Sequence, residues 1–179
     1  MAMSQSFRPA ERYDATTVWL HWITVILIAV LWGIGQTADL VPRGPLRTGV
    51  WSTHVVLGFL AAFVLVTRVA WRAKFGRVLP PADSGRLYVI AKLAHYVLYG
   101  LIGIVIIAGV IDASYRGFNV FGLWSVPQFG SGDAATRRSI NEWHELAANA
   151  LIVVAAIHAL AALGHHYLWR DHLLDRMRP

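Results

Sequence analysis

"NEWHELAANALIVVAAIHALAALGHHYLWRD", residues 141–171, is an oily segment that nevertheless carries four histidines: His144, His158, His165 and His166. A neutral imidazole in hydrocarbon needs a hydrogen-bond partner or a metal, so each is a candidate functional residue. His144 and His158 are fourteen residues apart. At about 100° per residue that separation falls about 40° short of four turns, so the two share a helix face. The rise between them is roughly 21 Å, and one helix therefore offers a ligand toward each side of a membrane.

The rest of the chain suits that reading. Its 179 residues are 56% hydrophobic and only 15% charged, with a mean hydropathy of +0.50, which is too oily for an ordinary soluble domain. Four stretches, 16–38, 48–71, 87–111 and 139–169, are long enough to cross a hydrocarbon core of about 30 Å. "DLVPRGPLR" (39–47), "RAKFGRVLPPADSGR" (72–86) and the segment 112–138 separate them, each marked as a loop by Gly, Pro and Asp. The expected fold is all-α, an integral membrane four-helix bundle occupying 1–179 as a single membrane domain, with no repeat or linker. The opening "MAMSQSFRPAERYDATT" lacks the basic start, short apolar core and small-residue cleavage site of a removable leader, so the first helix is read as retained.

Orientation follows from charge. Arg8, Arg12, Arg68, Arg72, Lys74, Arg77, Arg86, Lys92, Arg170, Arg176 and Arg178 fall on the side of the termini and second loop, and only Arg43, Arg47, Arg116, Arg137 and Arg138 on the other. By the positive-inside rule both termini are expected in the cytoplasm of a bacterial inner membrane. A net charge of +6 would suit nucleic acid, but topology explains where the cations lie, and no nucleic-acid partner is expected. The chain has no cysteine, which excludes disulfides, iron–sulfur clusters, thiolate-ligated haem and covalent haem attachment.

Each ligand on helix 4 needs a partner at matching depth. His54 lies about six residues, roughly 9 Å, below the outer start of helix 2, at a depth similar to that of His144. His21 lies about five residues into helix 1, and His158 five residues before the end of the apolar run of helix 4 at Leu163. The pairs His54–His144 and His21–His158 suit two non-covalent, bis-imidazole haem b groups stacked across a four-helix bundle. Iron with both axial positions filled transfers electrons rather than binding oxygen. Gly58 and the alanines of helix 4 leave room for a flat macrocycle, although small residues also serve ordinary helix packing.

His95 on helix 3 is a candidate for carrying a proton to a quinone, for bonding a haem propionate, or for competing with His21 as a ligand. His165, seven residues from His158 and close to the same face, is the strongest rival ligand on helix 4, but His165, His166 and His172 all read first as solvated interface residues. Arg47 on the outside, and Arg68, Arg72 and Lys92 on the inside, are candidate propionate partners, or face lipid phosphates.

The motifs "LHWIT" with His21, "STHVVLG" with His54, "LAHYVLYGLIG" with His95, and "WHELAANALIVVAAIHALAALGHHYLWRD" with His144 and His158 resemble those of the bacterial cytochrome b561 family. That family is in turn similar to the membrane cytochrome b subunits of nickel hydrogenases and formate dehydrogenases. The resemblance covers all four helices and implies haem ligands on helices 1, 2 and 4, with electrons exchanged between an outer-face reactant and the quinone pool, ubiquinone or another quinone. It also implies superoxide as a candidate donor, which would make the chain a superoxide:ubiquinone oxidoreductase. Five basic residues in the outer loops against Asp39, Asp112 and Asp133 would attract such an anion. Two alternatives stand beside this expectation: a haem-bearing anchor subunit docking a partner redox protein, and a haem-free transporter whose histidines relay protons.

Overall fold

The computed structural model describes residues 12–81, 84–130 and 133–179. The reading of the extreme N-terminus and the contribution of Arg8 to the charge count lie outside these residues. Four long helices dominate: α1 (Ala15–Thr37), α2 (Pro45–Lys74), α3 (Gly85–Arg116) and α4 (Ala134–Gly164). All four are long and apolar enough to cross a membrane. A 3-10 turn, Ala38–Leu40, follows α1; a π turn, His165–Trp169, and a 3-10 turn, Leu173–Met177, follow α4.

α1 packs along α2, and α3 along α4. Large apolar side chains such as Phe63, Val66, Ile157 and Leu160 point outward and are 60–69% exposed. In water such a continuous oily surface would drive association. Against lipid tails it carries no such penalty, and small residues and polar contacts hold the helices together instead. One such contact crosses the bundle, where the Trp32 indole of α1 donates to Asn149 Oδ1 of α4 at 2.9 Å.

Within the segment 112–138, expected as a loop, the described residues carry more regular structure than the Gly and Asp content suggests. α3 continues to Arg116, where an i,i+4 ion pair with Asp112 at 2.9 Å supports the last turn. It stops at Gly117, whose φ of 57° lets its own N–H and that of Phe118 return to the carbonyls of Ser114 and Ala113. The chain then forms a short hairpin, β1 (Asn119–Val120) with β2 (Trp124–Ser125), in the register Asn119–Ser125 and Val120–Trp124. The hairpin is tied down from α2, because fully buried Ser52 accepts the Phe121 N–H at 3.0 Å. Ala113, Val120 and Val126 form a small core beneath it with Val55 and Phe118.

At the opposite end the two ends of the described chain meet, the Tyr13 N–H donating to the Arg176 carbonyl at 3.1 Å. Asp14 organises this terminal end. Its carboxylate caps α1 by accepting the Thr17 N–H at 2.9 Å and also accepts the Thr17 hydroxyl, the Trp71 indole and the Arg77 N–H. Burial opposes ionisation, but these four donors together hold the carboxyl well below its usual range. A depressed folded value contributes stability above the unfolded pKa of about 3.9, and the contribution is lost as pH falls through the folded value. Asp14→Ala is therefore expected to cost at least about 1 kcal/mol at pH 7. In thermal melts of detergent-solubilised protein the difference from wild type should narrow when the pH is taken below about 4.

Candidate functional site

Near the hairpin end, all four helices line a cavity of about 680 Å³, within the usual range for cofactor pockets. His54 of α2 and His144 of α4 face one another across it, their ring centroids 6.2 Å apart and the planes at 78°. Imidazole–metal bonds of about 2.0–2.1 Å, with ring radii of about 1.1 Å, put collinear centroids about 6.3 Å apart, so the spacing accommodates one metal ion between the rings.

The donor chemistry fits as well. His144 Nδ1 lies 3.0 Å from the Val105 carbonyl. A carbonyl only accepts, so Nδ1 carries the hydrogen and Nε2 keeps its lone pair, the arrangement typical of a ligating histidine. His54 Nδ1 is buried without a hydrogen-bond partner among the described residues, although the ring packs edge-on against Trp51. A buried polar atom in that condition is costly, and a metal would relieve the cost by taking Nδ1 itself.

Glycines open the walls. Gly35 of α1, Gly58 of α2 and Gly109 of α3 all border the cavity. A Cβ at Gly109 would lie 3.0 Å from His144 Cε1 and 3.3 Å from Nδ1, so only glycine lets this ring sit where it does without a shift. Beside Gly58 a Cβ would meet nothing within 4 Å, and the space it leaves belongs to the cavity. Gly109 and Gly35 are absent from the sequence-based set. A helical stripe of Gly109, Asp112 and Arg116 on α3 was available as a signal, but ending that span at 111 cut it short.

Charges at the cavity correct one electrostatic expectation. Arg47 borders it, paired with Asp39; Arg116 borders it too, paired with Asp112 and donating to Asn141 Oδ1 at 3.2 Å. Glu145 also lines the wall. Two arginines thus meet three carboxylates. The positive excess counted from the loops is not carried into the cavity, because Arg43, Arg137 and Arg138 do not line it while Glu145, on a helix and so outside the loop count, does.

Toward the terminal end, a second cluster gathers His21 (α1), Arg68 (α2), His95 and Tyr99 (α3), and His158 (α4). His158 lies against His95, with centroids 5.1 Å apart at 77°, while His21 Nδ1 accepts from Arg68 Nη2 at 3.0 Å. Because a guanidinium only donates, this bond leaves neutral His21 with its hydrogen on Nε2. For His21 to ligate iron through Nε2, Arg68, which also stacks 5.2 Å over the Tyr99 ring, must turn aside. His95 Nδ1 donates to the Ala91 carbonyl at 2.7 Å, and the residue is exposed on the flank of the bundle.

Arg72 lies apart from this cluster, donating to the Arg77 carbonyl at 2.7 Å and stacking over Tyr13. Lys92 is near the rings of Tyr88 and Tyr96. His165 is engaged by Asp171 and packs edge-on against Trp169.

Comparison with known proteins gives a consistent picture. The family model for prokaryotic cytochrome b561 matches residues 12–179. The chain is 28% identical over 179 residues to cytochrome b561 homolog 1 of Escherichia coli, covering 94% of this chain and 98% of that one. It is 26% identical over 172 residues to the protein named probable superoxide oxidase CybB of Yersinia pestis, covering 94% and 97%. Cytochrome b561 homolog 2 of Escherichia coli is 27% identical over 177 residues, covering 93% and 91%.

Proposed function

Because the chain belongs to the prokaryotic cytochrome b561 family, a membrane haem b family, we propose that it is a two-haem oxidoreductase carrying electrons between a small outer-face donor and membrane quinone. The observation that carries this reading is the facing pair His54–His144 inside a cavity that all four helices line. Haem b, when bound, supplies reversible one-electron chemistry without an open coordination position.

The residues divide the remaining work. His54 and His144 hold the group nearer the hairpin, with Val105 fixing the tautomer of His144 and Gly109 giving its ring room. Arg47 and Arg116, both at this cavity, are the cations available to propionates there. His21 and His158 would hold the second group, and Arg68, beside His21, would be the cation nearest to it. His95, exposed on the lipid-facing flank and beside His158, delivers a proton to quinone dissolved in the bilayer. The two ends of the described chain lie together at one end, and the excess of basic residues there supports a cytoplasmic placement.

Superoxide is the proposed donor. Oxidation of two superoxide anions to dioxygen releases two electrons, and quinone takes up both with two protons. Support comes from the relative named as a probable superoxide oxidase rather than from steering by local charge.

The decisive experiment is a reduced-minus-oxidised spectrum of purified, haem-replete protein, with extracted haem counted against protein. Two low-spin b-type haems per chain are the expected result. One haem would remove the second ligand pair, and none would remove the reading altogether.

A further inference from the structure

Beyond Gly164, α4 widens into the π turn His165–Trp169, a geometry that often accompanies functional sites. The chain then reverses through Arg170 and His172, whose φ values of 55° and 58° are ones that non-glycine residues keep only where their surroundings impose them. The reversal brings the His172 ring to His166, with centroids 5.7 Å apart at 89°. Asp175 Oδ2 lies 3.2 Å from His172 Nδ1. One donor atom from each of His166, His172 and Asp175 falls within 4.8 Å of the other two.

Two further observations point to a ligand. His166 Nδ1 is buried and has no hydrogen-bond partner among the described residues, so its polarity is unsatisfied within the protein. The segment bearing His172 and Asp175 is also anchored on three sides. Arg176 accepts the Tyr13 N–H and donates to the Pro80 carbonyl at 2.7 Å, and the Met177 carbonyl accepts the Trp22 indole at 2.8 Å. The triad is thus carried on a braced turn.

We propose that His166, His172 and Asp175 bind one divalent first-row transition-metal ion at the terminal end of the bundle, for which zinc is the probe. Two imidazoles and a carboxylate form a borderline donor set suited to such ions. Magnesium and calcium favour oxygen donors, and copper(I) favours sulfur. Tetrahedral coordination with bonds of about 2.0–2.1 Å requires donors about 3.3 Å apart, so the triad closes slightly by side-chain rotation. Arg178, 4.0 Å from Asp175 Oδ1 and largely exposed, is displaced at little cost. The bound ion would cross-link the end of α4 to the C-terminal turn. None of the histidines assigned to haem takes part, so this site stands whether or not the two-haem reading holds.

The test is calorimetric titration of zinc into the full-length, tag-free protein in detergent. One ion per chain is expected, with affinity falling at least about tenfold in His172→Gln and in Asp175→Asn. His165→Ala, which removes the neighbouring imidazole already engaged by Asp171, should retain it. Each variant is checked for wild-type elution on gel filtration and an unchanged visible spectrum. Absence of binding to wild type, binding that survives both His172→Gln and Asp175→Asn, or equal loss in His165→Ala would overturn the proposal.

Discussion

His144→Ala is expected to remove about half of the haem b from the purified protein while leaving the remaining spectrum low-spin. His144 faces His54 across the cavity at 6.2 Å, and its Nε2 is kept available by the bond from Nδ1 to Val105. Without it the facing site retains a single imidazole. Gly109→Val provides a stricter form of the same prediction, because it leaves both ligands in place. Its Cβ would lie 3.0 Å from His144 Cε1, and the ring must swing aside or the helices separate. The variant should therefore lose the same spectral component as His144→Ala and keep the other. Loss of all haem from His144→Ala, in protein that still elutes as wild type, would contradict two independent sites.

The second large effect separates His21 from His95. If His21 and His158 are the ligands toward the terminal end, His21→Ala and His158→Ala each remove the haem that survives in His144→Ala. His95→Ala should then keep both haems and slow quinone reduction about a hundredfold, the usual scale for losing a positioned proton carrier. The structure makes this a demanding test, since His158 lies closer to His95 than the expected pairing suggests and His21 is bonded to Arg68. If His95→Ala removes a haem and His21→Ala does not, the ligand on that side is His95. Haem counts and rates measured on the same preparations distinguish the two outcomes.

The four long apolar helices and their order were legible in the sequence. These properties depend on rise and rotation per residue, which are nearly constant along an α-helix and need no knowledge of neighbours. What His144 meets is a different kind of fact. The approach of Gly109, the pairing of Arg116 with Asp112 at the cavity and the contact of His158 with His95 depend on how each helix is rotated against the next. The hairpin over the cavity end depends on Gly117 turning left-handed and on Ser52, distant in sequence, accepting from Phe121. His166 and His172 illustrate the limit most clearly. Read singly they were interface residues, and only the π turn and the left-handed reversal after α4 bring them together with Asp175. The sequence by itself determined where each histidine lies along its helix, because helix geometry is local. Tertiary structure decided which of them touch, because contact depends on helix rotation and chain reversal, which are set by packing among distant residues.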